Sequence, residues 1–169
     1  MQATVALPPI FWLFPVAFTL HNLEEAIWMP AFSKTAGRLH RPVDTFEFIF
    51  ALIPITALGW LVTLLFYAAG PLGVPCHLFF AFNLAMLVNV FFPHLAATVA
   101  LRRYCPGLAT GLLLLAPVNS FLLIIGFRHG YFAAPELILV TAVFAGLVAG
   151  TIPLLFRAGR WMRRRVQAP

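Results

Sequence analysis

Five apolar stretches, each long enough to form a membrane-crossing helix, follow one another along the chain, and the first is interrupted by charge in its middle. A helix needs about 20 mostly apolar residues to cross the hydrocarbon. The candidates are residues 7–32, 46–69, 74–101, 108–127 and 132–156. The breaks between them are polar or rich in turn formers: "SKTAGRLHRPVDT", "GPLGVP", "RRYCPG" and "RHGYFAAP". The pattern predicts one all-α integral membrane domain, a bundle of five transmembrane helices, with 157–169 as a basic juxtamembrane tail.

Composition sharpens this. Hydrophobic residues make up 62% of the 169 and charged residues 9%, more apolar surface than a soluble domain of this size hides in one core. The start, "MQATVALPPI", has no Lys or Arg ahead of the apolar run. It lacks the basic region of a signal peptide, so the first segment is expected to be retained as a helix.

Charge sets the orientation. Lys34, Arg38, Arg41, Arg102, Arg103, Arg157, Arg160, Arg163, Arg164 and Arg165 fall on one side of the five-span layout; of the 11 Lys and Arg, only Arg128 falls on the other. The positive-inside rule then places the C-terminus in the cytoplasm and the N-terminus outside, in the cell membrane. The arginine-rich tail follows a span directly. It is read as a topology signal attracted to anionic lipid, at about 1 kcal/mol per basic residue near the surface, and not as a nucleic-acid site. Cys76 and Cys105 lie on opposite faces in this layout and are not expected to pair. Gly146/Gly150 and Gly107/Gly111 are small-xxx-small pairs. Packing inside the bundle is their ordinary use, and a homodimer face the alternative.

The candidate chemistry sits in "FTLHNLEEAIWMP". Residues three and four apart share a helix face, so His21 has Glu24 and Glu25 as neighbours, the two carboxylates diverging by about 100°. An ionisable group at mid-bilayer costs at least about 2.5 kcal/mol, so three in one turn argue for a site. The structural alternative is a neutralised His–Glu cluster that pins helices together. His94 is the expected partner. Glu25 precedes Lys34 by about 13 Å of helix and His94 precedes Arg102 by about 12 Å, which puts both at one depth. His21 and Asn89 share a level nearer the midplane, and Pro93 is expected to kink the helix there. Asn89 is a candidate substrate contact, and Asn119 in the fourth span either completes the cavity or bridges helices; Asn83 is a weaker candidate, and Asn22 is expected to point away. Asp44 and Glu47 have the spacing of a capping box, and Glu136 suits the dipole of a helix start. His40, His77 and His129 lie near the membrane surfaces and suggest no site.

These residues resemble the HXXEE family of membrane proteins. The motif here is His21-Asn22-Leu23-Glu24-Glu25, and a later pattern is matched by Asn89, His94 and "YCPG" from Tyr104 to Gly107. The resemblance runs from about Phe14 to Gly150 and implies a site and an architecture, without a reaction.

Two imidazoles and a carboxylate suit one Zn or Fe ion, with His21, Glu25 and His94 as ligands and the other glutamate as base or orienting group. A di-iron centre takes about four carboxylates, more than this core offers. In a metal-free version, Glu24 or Glu25 moves a proton on an isoprenoid or other lipophilic substrate. In a third, the same groups form the relay of a proton-coupled or metal-ion transporter. The expected partners are membrane lipids and a lipophilic small molecule.

Overall fold

The polar interruption of the first segment turns inward, and the bundle is arranged around it. The computed structural model describes residues 7–37 and 41–166; Arg38 and His40 lie outside the described residues. After a 3₁₀ turn at Pro9–Trp12 come α1 (Leu13–Ser33), α2 (Thr45–Ala69), α3 (Val74–Leu101), α4 (Leu108–Arg128) and α5 (Ala134–Val166). No strand occurs among the described residues.

Helices α2 to α5 are long and apolar enough to cross a membrane. Helix α1 has the length, 21 residues, but His21, Asn22, Glu24 and Glu25 dilute its hydropathy, and it is not among the four. Its amphipathicity is inside out. Leu13, Val16, Leu20, Leu23 and Ile27 form an exposed apolar stripe at helical spacing, whereas His21 and Asn22 are buried.

Helix α1 packs on α2 and on the first turns of α4, α3 packs on α4, and α5 lies against α2 and α3. Around the N-terminal half of α1 the interior is phenylalanine. Phe11, Phe14, Phe66, Phe79 and Phe80 are wholly buried and meet mostly edge to face, as Phe11 does with Phe66 at 5.2 Å and 86°. Gly126 admits this packing: a Cβ there would lie 2.5 Å from the Phe80 ring.

Two helices are irregular where the site lies. In α3 the helix breaks within Val90–Leu95, where Phe92 leaves helical geometry at φ −139°, ψ 111°, beside Pro93. This is the kink expected from the proline, which cannot donate a backbone hydrogen bond. Helix α4 widens over Gly111–Leu115. Such wide turns inside helices are frequent at functional sites.

The bundle end opposite the phenylalanines gathers the basic segments. Arg103 donates to Thr35 Oγ1 at 2.8 Å and lies over the Phe32 ring. Arg160 pairs with Glu47 at 3.2 Å and Arg163 with Asp44. Asp44 caps α2 by accepting from the Glu47 N–H at 2.9 Å, but the Glu47 carboxylate turns to Arg160 and does not complete the capping box. The stretch read as a tail is helical through Val166, and its Arg160 and Arg163 turn back on the start of α2. At the far end Glu136, in the first turn of α5, meets His77 at 3.1 Å.

The glycine pairs part company. Gly111 packs on Val90 and Gly107 on the two site histidines, while at Gly146 and Gly150 a Cβ would meet nothing within 4 Å. Packing inside the bundle holds for the first pair and not for the second.

Candidate functional site

Helical periodicity brings His21 and Glu25 to one face of α1, and the irregular turn of α3 swings His94 to meet them. Glu25 Oε1 lies 3.1 Å from His94 Nε2 and 3.7 Å from His21 Nε2. The rings stand perpendicular, 5.1 Å between centroids. One ligand atom from each of the three residues falls within 4.8 Å of the others. Both imidazoles are buried, and His21 Nε2 has no hydrogen-bond partner. The equal depth inferred for Glu25 and His94 from helix rise corresponds to direct contact.

Glu24 does something else. One residue along, its side chain points about 100° away, toward the turn between α3 and α4. There Oε1 accepts from the Gly107 N–H at 2.9 Å and from the Tyr104 hydroxyl, and Oε2 accepts from the Thr110 N–H at 2.9 Å and the Thr110 hydroxyl at 2.5 Å. Burial, and the hydrogen bond to Glu24, push the Tyr104 phenol above its ordinary pKa, so it stays a donor. The sequence makes Glu24 a candidate base; with both oxygens occupied by two donors each, it has no lone pair to offer a substrate. It acts as an anion cap on α4.

The same turn supplies three residues that the motif alone does not assign to the site. Thr110 Oγ1 lies 3.2 Å from His21 Nδ1. Cys105 Sγ lies 3.8 Å from His94 Nδ1, on the side of the ring away from Glu25, so it braces His94 and does not join the cluster. Gly107, at φ +90°, presses against both rings: a Cβ would lie 2.6 Å from His94 Cε1 and 2.9 Å from His21 Cε1. The "YCPG" pattern is the available signal for Cys105 and Gly107. Nothing in the spacing singles out Thr110.

A cavity of about 490 Å³ runs from the cluster between α1, α2, α3 and α5, within the usual range for a small-molecule pocket. Its polar groups, His21, Asn22, Glu25, Asn89 and His94, share the lining with phenylalanine and aliphatic side chains such as Phe18, Phe82 and Ile152. Val88, Phe92 and Ala149 line it and are also exposed, so its mouth opens sideways between α3 and α5. Asn89 lines the cavity beside His94. Asn22, expected to point away, lines the cavity, with its Nδ2 donating to Thr56 Oγ1 at 2.7 Å. Asn119 is buried on α4, which contributes nothing to the lining of this cavity, and its side-chain amide has no hydrogen-bond partner. Asn83 is also buried and donates to the Phe79 carbonyl at 2.8 Å.

Residues 12–122 match the family described as "Protein of unknown function with HXXEE motif". The chain belongs to the HXXEE family. It is also 42% identical over 146 residues to the "Uncharacterized protein YrkK" of Bacillus subtilis (strain 168), covering 86% of this chain and 92% of that relative. No solved structure matches it. The two glutamates that name the family are those divided here between the cluster and the α4 cap.

Proposed function

We propose that this HXXEE protein is an integral membrane enzyme whose His21–Glu25–His94 centre holds one Zn or Fe ion and acts on the polar end of a lipid-soluble substrate. The observation that carries this is the buried His21 Nε2, which has no hydrogen-bond partner and lies 3.7 Å from a carboxylate oxygen. A buried polar atom left so costs about 1–3 kcal/mol, and a cation shared with Glu25 and His94 removes that cost. Two imidazoles and one carboxylate are a fitting donor set, and their mutual spacing suits ligand bonds of about 2 Å. Such an ion polarises a bound oxygen and lowers the pKa of bound water. Around it, Cys105 holds the orientation of His94, Glu25 offers a carboxylate to ligand or proton, and the apolar lining excludes water.

The sideways mouth supports a substrate drawn from the bilayer, with an apolar body along the phenylalanines and a polar end at Glu25. It supports five spans as well. The outward stripe of α1 suits lipid, and its polar residues face the interior. Basic residues gathered at one bundle end support a cytoplasmic C-terminus. A metal-free acid–base enzyme is the second reading, favoured by the 3.1 Å contact of His94 Nε2 with Glu25. Transport is disfavoured by the buried phenylalanines that fill the other half of the bundle.

The test is elemental analysis of the full-length protein purified into nanodiscs without chelators. One Zn or Fe per chain is expected, lost in His21→Ala and in His94→Ala. Metal-free protein from Zn- and Fe-supplemented cells would overturn the metal centre and leave the acid–base reading.

A further inference from the structure

We infer that Glu24 and Thr110 are positioning residues for His21: the Glu24 carboxylate accepts the one hydrogen bond that the Thr110 hydroxyl can donate, which makes Nδ1 the protonated nitrogen of His21 and turns the Nε2 lone pair toward Glu25 and His94.

The inference follows from counting protons. Thr110 Oγ1 lies between two partners, Glu24 Oε2 at 2.5 Å and His21 Nδ1 at 3.2 Å. A hydroxyl has one hydrogen to donate and lone pairs to accept with. Two oxygens 2.5 Å apart need a proton between them, and Glu24 is the acceptor, because its two oxygens also receive the Gly107 N–H, the Thr110 N–H and the Tyr104 hydroxyl, as a carboxylate does. The Thr110 proton therefore goes to Glu24 in a short, charge-assisted bond. Its oxygen is left to accept, and the neighbour that can donate is His21 Nδ1–H.

The opposite tautomer fails at both ends of the ring. It would need Thr110 to donate to Nδ1, which leaves two unprotonated oxygens in contact. It would also put a proton on Nε2, from which Glu25 Oε1 is 3.7 Å away, beyond hydrogen-bond length. Tyr104 obeys the same rule from the other side. Its oxygen accepts the Ala109 N–H at 3.1 Å while its proton goes to Glu24. Gly107, held by its own N–H on Glu24, packs against the Cε1 edges of both imidazoles and keeps the rings seated.

Histidines that ligate metals generally hold their second nitrogen in such a bond, which fixes tautomer and orientation. The inference thus deepens the proposed centre and assigns a reason for the paired glutamates: one for the cluster, one for the proton that aims it.

The test begins on metal-free, full-length protein in nanodiscs, labelled with ¹⁵N-histidine, with His21 assigned by the loss of its signals in His21→Asn. Long-range ¹⁵N–¹H correlations should show Nδ1 protonated and Nε2 bare in the unmodified protein. Thr110→Val removes the acceptor and should shift His21 toward the Nε2-protonated form; Thr110→Ser should restore the original pattern. Titrated with Co(II), Thr110→Val should bind about 10- to 100-fold more weakly, with Thr110→Ser close to the unmodified protein. A His21 protonated at Nε2 in the unmodified protein, or a tautomer indifferent to Thr110→Val, would overturn the inference. If the tautomer follows Thr110 and Co(II) binds no variant, the positioning role stands and the metal centre falls.

Discussion

Glu24 and Glu25 are adjacent in sequence and opposite in circumstance. Glu24 has a donor for each of the lone pairs it presents, all from one seven-residue stretch, Tyr104 to Thr110. Glu25 faces one histidine at hydrogen-bond distance and a second whose nitrogen is unpartnered. A saturated carboxylate holds structure, because any competitor must first displace a protein donor. An unsaturated one, at the end of a cavity, is free to bind. Two identical side chains thus acquire separate tasks from a 100° turn of the helix.

That contrast is breakable, and the variants rank by expected cost. Glu24→Ala strands four donors at the start of α4. At about 1–3 kcal/mol for each one left without water, a loss of about 3 kcal/mol or more is expected, read as a large fall in thermal midpoint in detergent. A near-neutral result would erase the distinction. Gly107→Ala attacks the same cap from the other partner. The left-handed φ costs about 1–2 kcal/mol and the overlap with the histidines about 1–3 kcal/mol more, so a fall comparable to Glu24→Ala is expected, together with disturbed metal content.

Glu25→Gln should do the reverse. The amide keeps the shape and can still accept from His94, so stability should move by about 1 kcal/mol or less, while metal in the purified protein disappears. Destabilisation as deep as that of Glu24→Ala would mean that Glu25 is structural too. Arg160→Gln calibrates the low end. It removes a partly exposed ion pair with Glu47 and should cost less than about 1 kcal/mol without changing metal content.

Much of this is legible in the chain because helix rise and periodicity are rigid rules. The shared depth of Glu25 and His94 follows from counting residues back from Lys34 and Arg102, and the kink from Pro93. What spacing cannot reach is anything decided by a turn. Cys105, Gly107 and Thr110 come to the histidines because the chain reverses between α3 and α4 with Gly107 at positive φ, and no periodicity encodes where that reversal aims its N–H groups. Whether Asn119 lines the cavity is hidden for a related reason: spacing gives depth along a helix but not azimuth in the bundle. The helical extension to Val166 is hidden because "FRAGRWMRRRV" looks like a charged tail until Asp44 and Glu47 are seen to supply its counter-charges.

The sideways mouth at Val88, Phe92 and Ala149 has a consequence for how occupancy is counted. If the proposed lipid-soluble substrate enters there, it never has to pass through water, and its activity is its mole fraction in the bilayer and not its molarity in the buffer. Diluting it with inert lipid at constant total amount would empty the cavity, and adding buffer would not. A saturation curve for the proposed substrate belongs on an axis of mole per cent.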